Sequence, residues 1–244
     1  MKKLIALLVL LALLSGCRQE EHTPIQTDPP VPATEALRPE PTEAPTQPLT
    51  ETPTEASTEP QDDALVPVGD YIPEIREELA YATQNNFTGQ IIYDFTESHL
   101  RYGTVKKLKP VCDELAEQGL VLVIWDAFRP VSAQQKLWDI CPDPVYVSHP
   151  VTGNRSHCRG NAVDVTLAES ESGQLLEMPT GFDDFSALAD RDYSDCPDEA
   201  AKNAALLEEI MVRHGFRPYR AEWWHFADEQ DYPVDETFDP SGVG

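Results

Sequence analysis

The sequence predicts an α+β domain: a central antiparallel sheet flanked by helices. Strand-like runs are few, two or three segments carry a helical period, and no strand–helix–strand repetition runs along the chain. The folded part is expected at residues 65–244, about 180 residues and long enough for one well-buried core.

Two segments precede it. Met1-Lys2-Lys3 is basic and leads into an apolar run over 4–14, the length of a signal-peptide core and short for a membrane span. That run ends in Leu14-Ser15-Gly16-Cys17, which resembles the lipobox of bacterial lipoproteins. The expectation is a lipoprotein signal peptide over 1–16 and lipidation at Cys17, several acyl chains together giving stable anchoring to the bacterial cell membrane on its extracytoplasmic side. Residues 17–64 are dominated by Pro, Thr, Glu and Ala with almost no large apolar side chains. Such a stretch buries too little to offset its ordering entropy, and its prolines and like charges favour an extended, disordered tether.

Within the domain, residues 73–79 are expected to run into the sheet, followed by a loop over 81–89. Residues 104–118 read as a helix, with Val105, Leu108, Val111, Cys112 and Leu115 on one face and Gly119 as its stop. Pro110 inside this run predicts a kink or a start near Lys109. The unbroken apolar run 120–125 reads as a buried strand that delivers Asp126-Ala127-Phe128-Arg129-Pro130, and 132–138 as a helix capped by Ser132. A Pro-, Gly- and Asp-rich loop is expected over 140–155. Residues 161–167 alternate as a strand, with Asp164 on the face opposite Val163, Val165 and Leu167. After a long loop, 198–214 reads as a helix stopped by Gly215, and 216–226 as a closing hairpin.

The formal net charge of −25 argues against nucleic acid or anionic lipid as a partner of the folded part. Beyond Cys17 there are four cysteines: Cys112, Cys141, Cys158 and Cys196. Outside the cytoplasm an even set suggests disulfides, with three possible pairings. No pair has CxxC spacing, so a zinc-thiolate site is not expected.

The chemistry concentrates in Ser156-His157-Cys158-Arg159-Gly160-Asn161-Ala162-Val163-Asp164 and, far downstream, Glu222-Trp223-Trp224-His225. His157, Asp164 and His225 form a two-histidine, one-carboxylate set of the kind that holds a catalytic zinc with one position left for water. Glu222 is the candidate base for that water. His99, His149 and His214 have no such partners and read as structural or surface groups, and Trp223 and Trp224 as core or pocket wall.

From about 75 to 226 the chain resembles the VanX-type D-alanyl-D-alanine dipeptidases, zinc enzymes of the wider D,D-peptidase group. The matching stretches, all in order, are Tyr81-Ala-Thr, Asn86-Phe-Thr-Gly89, Trp125-Asp-Ala-Phe-Arg-Pro130, Ser156 through Asp164, Phe182-Asp183 and Glu222-Trp-Trp-His225. The resemblance implies one Zn2+ per chain on His157, Asp164 and His225, with Glu222 as general base and acid. It implies that Arg129 steadies the charge developing on the scissile carbonyl oxygen. It also places Asp183 near the free amino group of D-Ala-D-Ala, with neighbouring Asp184 as the other carboxylate available there. Two departures stand out: family members are best known from the cytoplasm, and Cys158 replaces a small polar residue, so that a disulfide could brace the ligand loop. The competing readings are an exported D,D-carboxypeptidase trimming terminal D-Ala from wall stem peptides, and a non-catalytic wall-binding lipoprotein with a structural zinc.

Overall fold

The computed structural model describes residues 59–242, so the expected signal peptide over 1–16, Cys17 and most of the expected tether over 17–64 lie outside the described residues. Residues 61–64 already belong to the folded body, since the Tyr102 and Gly103 amides donate to the Ala64 and Asp62 carbonyls.

In chain order the strands are β1 (Leu65–Pro67), β2 (Arg76–Glu77), β3 (His99–Arg101), β4 (Leu120–Asp126), β5 (Ala162–Glu169), β6 (Phe216–Pro218) and β7 (His225–Asp228). The helices are α1 (Tyr102–Ala116), α2 (Val131–Ile140) and α3 (Asp198–Arg213). β1 and β3 form a two-stranded antiparallel sheet; the other five strands form the main sheet in the order β2-β4-β5-β7-β6. The expectation of a purely antiparallel sheet needs correction. β2 pairs with β4 in parallel, because the chain returns through β3 and α1 before entering β4, a connection long enough to reverse it. The remaining pairings are antiparallel.

Helix α1 passes through Pro110 without a break. The lost amide bond is outweighed by the buried face, where Val105, Leu108, Val111, Cys112 and Leu115 all enter the core. Fully burying each large aliphatic side chain is worth about 1.5–3 kcal/mol, against about 3 kcal/mol for an interior proline. Ser132 does not cap α2: the helix begins at Val131 behind Pro130, so Ser132 lies inside its first turn. Pro130 sets the turn from β4 into α2. Gly119 and Gly215 follow α1 and α3 with φ of +73° and +86°, as helix stops do.

Val163, Val165 and Leu167 of β5, Leu122 and Ile124 of β4, and the inner faces of α1 and α3 make one hydrophobic core. Asp164 lies on the opposite face of β5, as the alternation predicts, and that face is buried as well. An irregularity between Ile124 and Asp126 sets which β4 side chain meets it. Ile124 pairs with Val165, yet Asp126, two residues on, pairs with Asp164, one residue away from Val165. Trp125 is therefore the extra residue of a β-bulge, and Asp126 is turned onto the Asp164 face instead of into the core.

The disulfide expectation is not met. Cys112, Cys141, Cys158 and Cys196 are all free thiols, placed on α1, after α2, in the turn before β5 and before α3. Burial pushes the Cys112 thiol up to about 12 and the Cys158 thiol up to about 11, so both stay protonated and inert at neutral pH. Cys158 lies within the ligand turn itself and is buried there as a small apolar group.

Candidate metal centre and substrate cleft

The register of three adjacent strands lays out the site. Asp126 on β4 pairs with Asp164 on β5, and Asp164 pairs with His225 on β7, so the three side chains stand in a row across one face of the sheet. His157 arrives from a short 3-10 turn, His157–Arg159, that ends at Gly160. Gly160 has φ +72°, and a Cβ there would sit 2.5 Å from Leu65 Cδ2. Only glycine fits that turn, and the turn lets His157 and Asp164 converge.

The donor atoms of His157, Asp164 and His225 all lie within 4.8 Å of one another. His157 Nε2 is 3.2 Å from His225 Nδ1 and 3.3 Å from Asp164 Oδ2, and His225 Nδ1 is 2.9 Å from Asp164 Oδ1. A tetrahedral zinc with bonds near 2.0–2.1 Å holds its donors about 3.3 Å apart, so this set fits such an ion. The other ring nitrogen of His157 is engaged: Nδ1 donates to the Ala127 carbonyl at 2.8 Å, which fixes the tautomer and leaves Nε2 to ligate. Asp126 Oδ2 lies 3.6 Å from the same nitrogen. Burial opposes a charged His157 ring, but Asp164 and Asp126 prevail and raise its pKa to about 9. Burial likewise opposes a charged Asp164, and the His157 charge with hydrogen bonds from both histidines holds it well below the usual carboxylate range.

Glu222 sits in the β6–β7 turn, its Oε2 3.8 Å from His225 Nδ1. Burial raises its pKa against the pull of His225. Arg129 is clamped. Its Nε and Nη2 donate to Asp126 Oδ2 at 3.1 and 2.6 Å, and Nη1 to Gln134 Oε1 at 2.9 Å. Asp126 is fully buried and also accepts from Tyr93 Oη at 2.6 Å and from the Ala127 amide. Arg129 further stacks its guanidinium over the Tyr81 ring at 5.1 Å.

His157, Asp164, His225, Glu222, Arg129, Gln134 and Tyr81 line one cleft of about 480 Å³ together with Asp183, with Asp126 buried behind them. Asp183 is held by Phe182, whose ring packs between those of Tyr81, Trp125 and Trp224. Tyr81 donates to Asp183 Oδ2 at 2.6 Å. Burial pushes the Asp183 carboxyl up to about 7, the Tyr81 hydrogen bond working against it. Asp184 is exposed and accepts from the Ser186 amide, so Asp183 is the carboxylate of that pair that faces the cleft.

The Asn86-Phe-Thr-Gly89 stretch contributes scaffolding. Asn86 donates to the Thr83 and Gln90 carbonyls and accepts from Thr88, closing the loop behind Tyr81. Tyr81 and Asp126 are the residues that sequence reasoning passed over as site groups. Their signal was an acid at the end of a buried strand and a tyrosine opening a matched motif. Trp223 and Trp224 are buried core, with Trp223 Nε1 donating to Thr180. His214 pairs with Glu114, and His99 packs against Phe238. His149 lies on the cleft rim, its ring 4.7 Å from that of Trp138.

A buried His–Asp–His cluster opening on a cleft, with a second carboxylate beside it, defines a metallopeptidase. The family model described as D-Ala-D-Ala dipeptidase, in peptidase family M15, matches residues 61–241, and the chain belongs to that family. A D-alanyl-D-alanine dipeptidase of Escherichia coli is 38% identical over 172 residues, covering 70% of this chain and 88% of that protein. Proteins of the same description from Streptomyces coelicolor and Enterococcus faecium are 29% and 27% identical, covering 70% and 65% of this chain and 95% and 89% of theirs. Family membership and the open metal cluster replace the reading as a non-catalytic binder. Among the described residues no helix is long and apolar enough to cross a membrane.

Proposed function

We propose that this protein is a zinc dipeptidase that hydrolyses D-alanyl-D-alanine to two D-Ala, exported and held at the outer face of the membrane by lipid on Cys17. The observation that carries the substrate reading is Asp183: a carboxylate lining the same cleft as the metal cluster is a seat for a free ammonium. A substrate whose amino group is one residue from the scissile bond meets it; a longer peptide does not.

The assignment of roles follows from the donor set. His157, Asp164 and His225 would hold the zinc, which when bound supplies Lewis acidity and lowers the pKa of water at the site. Glu222, with its pKa raised by burial, takes the proton of the attacking water and returns it to the departing amine. Arg129, pinned by Asp126 and Gln134, keeps two of its five N–H groups for the oxygen on which negative charge grows. Because the clamp is preformed, little reorganisation is needed as that charge appears.

The alternative within the same chemistry is a D,D-carboxypeptidase acting on wall stem peptides, which suits an exported protein. In the deciding experiment the zinc-loaded protein receives D-Ala-D-Ala or a stem pentapeptide ending in D-Ala-D-Ala, and released D-Ala is measured. Cleavage of the free dipeptide alone supports the dipeptidase; preference for the pentapeptide replaces it with the carboxypeptidase.

A further inference from the structure

Asp164 and His225 stand on paired strands, but Glu222 stands in the turn between β6 and β7. That turn's own hydrogen bonds are long: the Glu222 amide donates to the Tyr219 carbonyl at 3.3 Å, and the His225 amide to the Glu222 carbonyl at 3.3 Å. A group that moves a proton must sit within about 2.6–3.2 Å of the atom it serves, so the turn needs a further brace.

Arg191, in the same β5–α3 loop as Asp183, reaches both ends of that turn. Its Nε donates to the Tyr219 carbonyl at 2.8 Å and its Nη2 to the His225 carbonyl at 3.0 Å. Its amide donates to the Arg220 carbonyl at 3.2 Å. Nη1 donates to Glu208 of α3 at 2.9 Å and to Tyr193 Oη at 3.2 Å, and the guanidinium lies over the Phe226 ring, 4.5 Å from its centre. The side chain is 8% exposed and none of its nitrogens is left without an acceptor. One rigid planar fork thus bridges two carbonyls while its third nitrogen is anchored on a helix, which a lysine ammonium cannot reproduce.

The same loop grips the turn at two more points. The Trp223 amide donates to the Ala189 carbonyl at 2.9 Å, and Trp223 Nε1 to Thr180 Oγ1 at 2.9 Å. Asp183 lies between Thr180 and Ala189, so the loop that faces the substrate and the turn that carries Glu222 form one bonded unit. His225 has its own support: it pairs with Asp164, and the Val165 amide donates to the Trp224 carbonyl at 3.0 Å.

We propose that Arg191 is the positioning residue for Glu222: by holding both ends of the β6–β7 turn it sets where that carboxylate stands against the metal cluster. The kinetic half of this assignment rests on the reading of Glu222 as the base; the structural half stands without it.

The test compares wild type with Arg191→Lys, which keeps a charge for Glu208 but has no fork, and Arg191→Met, which fills the space without donors. Each zinc-loaded protein is assayed on whichever of D-Ala-D-Ala and the stem pentapeptide the wild type cleaves, with zinc content and amide hydrogen exchange measured in parallel. Both variants are expected to keep their zinc and to lose kcat on the order of 100-fold with KM within about twofold, as when a reacting group is displaced by about 1 Å. Exchange is expected to quicken over 219–225 and to stay unchanged over 162–167 of β5. Full kcat in Arg191→Lys, or exchange that quickens equally in β5, makes Arg191 an ordinary brace of the fold and overturns the assignment. Should the wild type cleave neither peptide, the dipeptidase and carboxypeptidase readings fall, and the exchange pattern still decides whether Arg191 holds the turn.

Discussion

Tyr81 and Asp183, 102 residues apart, share a 2.6 Å hydrogen bond that joins the loop before β3 to the loop before α3 across the cleft wall. The phenol is the donor, so it favours the ionised carboxylate and partly offsets the burial that pushes Asp183 up to about 7. Asp183 also has φ +53°, a backbone conformation that Asp and Asn tolerate better than most residues.

Asp183→Asn therefore keeps the backbone and the acceptor oxygen while removing the titration. The folded pKa of about 7 lies above the unfolded value near 3.9, so the folded state binds more protons between these values and this group's contribution falls as pH rises from 4 to 7. The variant is expected to match wild type near pH 4 and to be more stable at pH 8 by about 1–2 kcal/mol, the full shift being discounted for partial exposure. Urea unfolding of the metal-free protein at both pH values measures this. In activity, the same variant raises KM for the free dipeptide at pH 8.

His157 gives the opposite dependence for metal and for stability. Its imidazole must be neutral to ligate, and with a pKa of about 9 in the metal-free protein, apparent zinc affinity rises about tenfold per pH unit up to that point. The raised pKa stabilises the metal-free fold fully below about 6.5, and that stabilisation is lost as pH rises through 9. Zinc titrations with a competing chelator, and thermal melts in EDTA at pH 6.5 and 9, are expected to move in opposite directions.

Glu222→Gln is expected to retain zinc, since Glu222 is outside the donor set, and to lower kcat by roughly 100–10,000-fold. Metal analysis beside a D-Ala release assay checks both halves. Zinc loss in this variant would make Glu222 a ligand and remove it as the base.

Arg129 and Asp126 act as a unit. Arg129→Ala leaves a fully buried carboxylate without its charge partner and is expected to cost about 3–5 kcal/mol of stability as well as activity. Removing both charges together, in Asp126→Asn with Arg129→Gln, recovers much of the stability and none of the activity. A double-mutant cycle in denaturant shows the coupling.

Cys17→Ser tests the anchor. The wild type is expected in the membrane fraction of a bacterial host and the variant in the soluble one, with equal specific activity.

The parts of this molecule legible beforehand were those with local signals. The core stripe of α1, the extent of α3, the apolar run of β4 and the alternation around Asp164 each depend on neighbours within a turn or two, and the structure follows them. The three metal donors were legible because their residue types are costly to bury without a purpose. What stayed hidden depends on pairing between distant strands. The parallel entry of β2, the bulge at Trp125 and hence the place of Asp126 beside Asp164 are facts of register, and no short window of sequence carries register. The free state of Cys112, Cys141, Cys158 and Cys196 is of the same kind: cysteine number permits pairing, but only the fold decides which thiols meet.

Asp164 and His225 are fixed by sheet pairing and His157 by the glycine turn beside it, whereas Asp183, assigned here to the amino end of the substrate, stands in a loop outside any strand or helix. Changes of length or composition over 171–186 are thus expected to alter which peptide is accepted ahead of the metal cluster itself. On the proposed reading, exchanging that segment with another family member's is expected to shift preference between free dipeptides and wall stem peptides while the metal donors, which lie outside it, are kept.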